Sequence, residues 1–517
     1  MTRINEIKLK AGEPIENLQG KIEKKLGVPK GSLGAFHIVS ESVDARRKPE
    51  IFRVFNVELG ERPAFSIERK QLDIGFRPVV AGFGPCGMFA ALRLARAGVR
   101  PIVLERGSSM EKRIQDVEAF WKNGTLNKNS NVQFGEGGAG TFSDGKLTTG
   151  TKSSYARYIL ESFVLAGADE DILWKQKPHI GTDVLRTAVV NIREEIKSLG
   201  GEILFDTRLE KLDIEDSKLK GVITDSGEYI KTDAVILALG HSARDSVNYL
   251  YEKGFLMEQK AFSMGVRIEH PQSMIDLAQY GAASESLGLG PADYKLNVRT
   301  SNGRGVYTFC MCPGGYVAAS ASEEGLLVVN GMSNRKRDGS NANSAVLCDV
   351  NPSDFGSSHP LAGLAFQEKY EKLAFELGGG NYMAPAETVG SFLKTDPAVK
   401  PIVEPTYKPG ITMCSIEKCL PDFAAESLRE ALPMLGKKLK GFDHPGALLT
   451  AIESRSSSPV RIKRTAAFCA AAVSGDSIEG VYPGGEGAGY AGGIMSAAAD
   501  GVRLAEQILS LHFGGDI

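Results

Sequence analysis

Apolar positions along the chain repeat with changing period, and each change predicts an element. Residues 4–9 read as a strand. Ile15, Leu18, Ile22 and Leu26 share one helical face closed by Gly27 and Pro29, and strand-like runs follow at 36–40 and 51–59. This βαββ order predicts a small N-terminal α+β, ferredoxin-like domain over residues 1–75. At Val79, Val80 and Ala81 the pattern becomes a short continuous apolar run, as a buried parallel strand requires, and it ends directly in Gly82-x-Gly84-x-x-Gly87. Met88, Ala91, Leu92 and Ala95 then form one helical face, Gly98 closes it, and the apolar run 102–104 leads to Glu105. Leu185, Ala188, Val189, Ile192, Ile196 and Leu199 predict another amphipathic helix. Short runs over 202–229, broken by turns at 215–217 and 225–227, predict a β-meander, and 234–238 is a fully apolar strand that stops at Leu239 and Gly240. Mixed α and β patterns with many glycines fill 261–440, an inserted second domain. Residues 480–501 return to the first theme with a short strand, a glycine turn carrying Glu486, and a small-residue helix expected to begin near Ala491. The predicted fold is therefore α/β: a Rossmann-like domain with a β-meander over 76–260 and 441–517, interrupted by a mixed α+β domain and preceded by the small one.

The glycines have separate physical tasks. Gly82 makes a tight turn, Gly84 lets a pyrophosphate approach the backbone, and Gly87 lets helix and strand pack closely. The phosphate would sit on the helix N-terminus, where unpaired N–H groups and the positive dipole end favour an anion. Glu105, 23 residues after Gly82, is placed to accept hydrogen bonds from an adenosine ribose. Cys86 is read as a small residue tolerated beside the pyrophosphate. Glycines at 135, 137, 138, 140, 145 and 150 preclude a helix or strand there and predict a run of exposed backbone donors, a cradle for an anion or cofactor. A strand that stops at Gly240 ends at the edge where parallel sheets bind ligands.

Composition narrows the class. A chain of 517 residues is long enough for two or three domains, and 42% hydrophobic with 24% charged residues is ordinary for a soluble protein. A formal net charge of −2 gives no electrostatic footprint for nucleic acid. No apolar run approaches the ~18 residues of a membrane helix, and the first residues lack the apolar core of a signal peptide, so a cytoplasmic protein without a membrane span is expected. Seven cysteines, an odd number, fit reduced thiols. Cys414 and Cys419 have a spacing like that of disulfide reductases but lie far along the chain, and Cys310-x-Cys312 joined to them is not a zinc spacing. Ordinary thiols and no metal are expected.

The fingerprint, the segment 135–146 (GEGGAGTFSDGK), the strand ending at Gly240 and the closing glycine turn occur in the order of glutathione-reductase-type FAD flavoproteins. With 310–315 (CMCPGG), 454–461 (SRSSSPVR) and 485–493 (GEGAGYAGG), nearly the whole chain resembles the bacterial family of FAD-dependent (NAD-utilising) dehydrogenases. The resemblance implies non-covalent FAD held by Gly82, Gly84, Pro85, Cys86, Gly87, Glu105 and Arg106. It adds Gly138, Gly140, Thr141, Ser143, Asp144 and Gly145 from the second loop, and Leu239 and Gly240. From the closing motif it adds Gly485, Glu486, Gly489, Tyr490, Ala491, Gly492, Gly493 and Ile494. In the wider superfamily an aspartate usually stands where Glu486 does. The closing helix would aim its N-terminus at the N1–C2=O edge of the isoalloxazine. Only the turn at 82–87 makes a convincing dinucleotide fingerprint, so any nicotinamide donor, NAD(P)H, would visit transiently, with another carrier as the alternative. The flavin carries the hard step, and candidate acid/base residues are His270, Glu453 and Arg455. The implied activity is hydride transfer between a small organic molecule and flavin N5. A double-bond reductase or a monooxygenase is the runner-up, the latter because Asp144-Gly145 resembles a motif of flavin hydroxylases. A flavin-dependent RNA modifier or binder is the alternative from another class, and the near-neutral charge speaks against it.

Overall fold

A computed structural model describes residues 2–65, 67, 76–148, 150, 153–282 and 287–513. The expected boundary after residue 75 adjoins 68–75 and lies outside the described residues. Ahead of it, strands Arg3–Lys10, Phe36–Arg47 and Glu50–Leu59 form an antiparallel sheet, with Glu50–Leu59 in the middle and helix Asn17–Leu26 against it. Leu18 and Ile22 of the helix meet Ile7, Leu9, Phe55 and Val57 of the sheet. Gly27 ends the helix at φ +70°, a left-handed turn that glycine adopts freely. The βαββ order is therefore present. A complete ferredoxin-like unit would add a second helix and a fourth strand, and residues 2–65 contain neither.

Five parallel strands form the next sheet, in the spatial order Val481–Pro483, Val235–Leu237, Val79–Ala81, Ile102–Leu104, Glu202–Leu204. Its first four strands are buried throughout because both faces are covered, and the edge strand Glu202–Leu204 is partly exposed. Val80, Val103 and Ile236 point into a core shared with helices Pro85–Arg96, Thr182–Ser198 and Ile494–Phe513. Val79, Ala81, Leu104, Val235 and Leu237 point the other way, into a core shared with the meander Leu209–Glu215, Lys218–Thr224, Tyr229–Lys231. Gly501 lets Ile494–Phe513 lie directly on Pro85–Arg96, since a Cβ there would stand 2.0 Å from the Cys86 carbonyl oxygen. Val481–Pro483 thus forms the sheet edge beside Val235–Leu237.

The second sheet has seven strands, ordered Asn297–Arg299, Gly305–Cys312, Asn341–Val350, Phe262–Pro271, Leu448–Glu453, Ala384–Thr388, Ile411–Met413. Helices Ala362–Gly378 and Asp422–Lys438 cover its core. Residues 448–453, expected in the return segment that starts at 441, pair with Phe262–Pro271 on one side and Ala384–Thr388 on the other. Their apolar run marks a buried strand, and only the tertiary pairing decides which sheet receives it. Among the described residues no helix is long and apolar enough to cross a membrane.

Candidate active site

A cavity of about 640 Å³ opens at the carboxyl ends of the parallel strands, where Ala81, Leu104, Ala238 and Gly484 line it; the second sheet contributes Thr308, Cys310 and Glu453. Ligands of open α/β sheets lie at this edge, and the volume is in the range of cofactor sites.

Glycine geometry decides how closely a ligand can approach. Gly82 has φ +103°, and a Cβ there would stand 2.3 Å from the Ala238 carbonyl oxygen. On Gly87 a Cβ would stand 1.8 Å from the Gly82 carbonyl oxygen. At both positions backbone lies on backbone, and Gly87 itself stays behind the cavity wall. Gly84 differs. It is the N-cap of Pro85–Arg96 in extended conformation, and its Cβ would meet only Gly138 Cα at 3.6 Å. Gly492 and Gly493 also line the cavity, with nothing within 4 Å of a Cβ on either. They precede the closing helix, which begins at Ile494 and not near Ala491, because two glycines oppose helix formation. Bare glycine backbone ahead of two long helices fits the pyrophosphate and ring edge of FAD. Gly492→Val is expected to expel FAD or lower its reduction potential, since the helix end favours an anion by about 0.3–2 kcal/mol. Potentiometric titration checks this, and bound FAD at the wild-type potential would separate this helix from the flavin.

Glu105 is buried at the end of Ile102–Leu104. Its Oε2 accepts the Phe83 N–H at 2.8 Å, and its Oε1 accepts the N–H groups of Gly107 and Gly135 at 2.9 and 3.0 Å. Arg106 lies over the Phe134 ring and bonds Asp245. The glycine loop that follows is not the row of free donors expected. The amides of Gly135, Glu136, Gly137 and Gly138 donate to Glu105, Ser108, Phe83 and Gly135. Its carbonyls are held by Arg113, fully buried, which donates to the oxygens of Asn131, Val132, Glu136 and Gly138 at 2.6–3.0 Å. Gly138, Gly140 and Ser143 remain on the cavity wall. Thr141, Asp144 and Gly145 stand behind it. The Thr141 carbonyl accepts from Thr182, and the buried Asp144 pairs with Arg337 at 2.6 Å and accepts from Ser333.

Pro85, Cys86, Leu239, Gly240, Glu486 and Ile494 also line the cavity. Burial pushes the Cys86 thiol up, so it is no activated nucleophile. Burial also raises the Glu486 carboxyl to about 7, partly offset by Lys260, and His241 Nδ1 lies 3.4 Å from it. The remaining predicted residues sit outside the wall. The Gly485 amide bonds Asp500, a Cβ on Gly489 would stand 2.8 Å from the Val460 carbonyl oxygen, Tyr490 stacks under Arg464, and Ala491 joins the helical core.

Of the acid/base candidates, Glu453 and Arg455 reach the cavity and His270 does not. His270 is fully buried in the second sheet, its Nε2 2.8 Å from the Phe442 carbonyl oxygen. Glu453 accepts from Arg267 Nη1 at 2.9 Å. Burial lifts its carboxyl to about 7 even though Arg267 pulls it down. Arg455 is held by Glu371, which also binds Arg244 and Ser454. Sequence patterns singled out none of Arg113, Arg244, Arg267 and Glu371. A signal for Arg113 did exist, because Met110, Arg113, Val117 and Phe120 are the buried stripe of one helix, and the arginine stands inside it.

Residues 261–456 match the family described as FAD-dependent protein, C-terminal domain-like, and residues 1–60 match a domain of unknown function. An uncharacterised protein of Clostridium beijerinckii is 47% identical, over 98% of each chain. Solved structures align more loosely. They include L-proline dehydrogenase from P. horikoshii (13% identity, 85% of this chain and 94% of that one, TM-score 0.36) and PqsL of P. aeruginosa in complex with 2-aminobenzoylacetate (12%, 85% and 88%, TM-score 0.38).

Proposed function

The chain belongs to the same protein family as its Clostridium beijerinckii relative and is an FAD-dependent oxidoreductase, and on that premise we propose that it transfers a hydride between a small organic substrate and FAD. The glycine turn at 82–87 and Glu105 receive the ADP half; Gly492, Gly493 and Glu486 receive the flavin half. A carboxylate offers about four acceptor sites. Three backbone N–H groups occupy Glu105, so one stays open to a ribose hydroxyl. FAD bound there supplies a ring that takes up or returns a hydride and a proton. NAD(P)H or another carrier exchanges electrons with the flavin as a transient visitor, the fingerprint at 82–87 being taken by the ADP half of FAD.

The observation that carries this reading is Glu453. Its carboxyl lines the same cavity as the glycine cradle and is raised to about 7, where it changes protonation at ordinary pH. Oxidising an alcohol or amine carbon requires a base that removes the heteroatom proton as the hydride leaves, and the reverse reduction requires the same group as an acid. Arg267 keeps the carboxyl in place and tempers its rise. Arg455, fixed by Glu371, presents a permanent charge to the same space and would orient an anionic or carbonyl group.

The test is anaerobic. Metabolites are mixed with the oxidised enzyme and bleaching of the flavin is followed. For an oxidised substrate the bleaching rate should rise with pH through about 7 as Glu453 loses its proton. Glu453→Gln should slow it by about 10²–10⁴-fold and flatten that profile. An unchanged profile in the variant would remove Glu453 from the chemistry, and a substrate consumed only with oxygen would replace this reading with the monooxygenase.

A further inference from the structure

Cys310 lines the cavity, and Cys312 is buried directly behind it. They lie on the strand Gly305–Cys312, which pairs with Asn341–Val350, and the pairing is broken between them. Phe309 faces Ala345 and Cys312 faces Asn343, so three steps along one strand meet two along the other. The extra residue is a bulge, and Cys310 within it has φ 42°, in the left-handed region that a non-glycine residue rarely adopts. In a flat strand alternate residues stand about 6.6 Å apart, near the upper limit of the ~4.4–6.8 Å Cα separation that a disulfide accepts. The bulge departs from that flat geometry, and the Cys312 thiol turns back along the segment to donate to the Cys310 carbonyl oxygen at 3.2 Å.

Two cations lie beside the pair, with Asp144 and Glu453 as the nearby acids. Arg267 Nη2 donates to the Cys310 carbonyl at 2.6 Å and lies 3.9 Å from Cys312 Sγ, and Lys146 Nζ donates to the Met311 carbonyl between the two cysteines. Interaction with the Cys312 side chain pulls the Cys310 thiol down against its burial, with Lys146 and Arg267 assisting and Asp144 opposing. The same interaction, with burial, pushes Cys312 up. Cys310, at the cavity wall, is thus the more acidic thiol of the pair, an asymmetry that thiol–disulfide chemistry uses. The other four cysteines with a resolved shift, Cys86, Cys348, Cys414 and Cys419, all have thiols pushed up by burial.

We propose that Cys310 and Cys312 are a redox-active dithiol that exchanges two electrons with the flavin in the same cavity. This rests on the FAD reading above. In the oxidising direction two S–H bonds break and one S–S bond forms between the cysteines, while both electrons and both protons end on the reduced flavin. Reduction of the disulfide is the reverse. The holoenzyme therefore stores four electrons per FAD.

Two readouts test this without a substrate. Anaerobic dithionite titration of the oxidised holoenzyme should consume four electrons per FAD in wild type and two in Cys310→Ser or Cys312→Ser. Cleavage after Arg304 and Arg335 releases both cysteines on one peptide with no other cysteine. After alkylation under denaturing conditions, mass spectrometry should find that peptide bridged in the oxidised enzyme and doubly alkylated after flavin reduction. Holoenzyme that keeps its FAD, consumes two electrons and shows two free thiols in the oxidised state would overturn the dithiol and leave the FAD reading intact. A chain without flavin absorbance would overturn both, before any reductant is added. The wild-type peptide measurement needs no variant to fold.

Discussion

Gly84→Val is expected to give a folded, colourless protein. Gly84 sits at φ −75° and ψ −177°, extended backbone that valine adopts readily, and a Cβ would touch only Gly138 Cα at an ordinary 3.6 Å. The chain can therefore build this residue. What it cannot do is leave the cavity floor bare, because the two γ-methyls must enter the space where a pyrophosphate would meet the helix N-terminus. FAD affinity should fall by at least ~100-fold, about 2.7 kcal/mol, while the thermal midpoint of the apoprotein stays within a few degrees of wild type. Gly82→Val and Gly87→Val should behave differently. Their Cβ atoms would stand 2.3 and 1.8 Å from carbonyl oxygens, so those variants should fail to fold. Visible absorbance of the purified proteins and reconstitution with added flavin measure the difference, and denatured wild type should release FAD and not FMN. A yellow Gly84→Val protein would remove the assigned floor.

The glycine turn was legible because its information is local. A three-residue apolar run, a change of period at Gly82 and a helical face at Met88, Ala91, Leu92 and Ala95 lie within one βαβ unit. Residues 448–453 were legible as a strand but not as a member of the second sheet, since an apolar run states burial and says nothing about its partner. The glycine loop shows the same limit. Six glycines announce irregular backbone, yet whether its amides face a ligand or the protein depends on Glu105 and Arg113, which hold it from 30 and 25 residues away. Buried charges are least legible. Glu371 meets Arg244 across 127 residues and Arg455 across 84, and a single charged letter in a sequence reads as a solvated face. The trace it leaves is position. Gln367, Glu371, Ala374 and Gly378 form the buried side of helix Ala362–Gly378, so the glutamate stands where an apolar residue belongs. A charge in an apolar stripe predicts a buried partner of opposite sign, even where it does not say which.

A large loss of stability is also expected at Glu371. Its side chain is fully buried. One oxygen takes Arg455 Nε at 2.9 Å and Ser454 Oγ at 2.6 Å, the other takes Arg455 Nη2 at 2.7 Å, and Arg244 Nη2 donates to both at 3.0 Å. One carboxylate thus neutralises two guanidinium groups that connect the glycine-edge helix Arg244–Glu252 to the second sheet. Glu323, the remaining acid on both arginines, is about one-third exposed. Glu371→Ala leaves two cations sharing that partial partner, and removing one member of a buried ion pair costs about 3–5 kcal/mol. The urea midpoint should fall accordingly, and Arg455, no longer fixed, should loosen its side of the cavity. Replacing all three together, Glu371→Leu with Arg244→Met and Arg455→Met, should recover most of the loss, because the charges needing compensation leave with it. pH supplies an independent check. Burial pushes the Glu371 carboxyl up, but Arg244 and Arg455 outweigh it and hold it at about 2. Its contribution is therefore complete above about 4.5, the unfolded value, and is lost as pH falls from there through about 2. Glu453 and Glu486, raised to about 7, act with the opposite sign, since the unfolded chain ionises first and stability declines as pH rises from about 4.5 to 7. His179, His241 and His270, held by burial at about 4, 3 and 4, cost stability as pH falls below about 6.5, and Glu111, held at about 2 by Arg193, adds to the loss below 4.5, so Glu371→Gln should shrink the loss between about 4.5 and 2 while keeping the neutral limb. Urea midpoints at pH 8, 5 and 3 resolve the two limbs, and a Glu371→Gln protein that loses as much as wild type between pH 5 and 3 would show that other groups govern that fall.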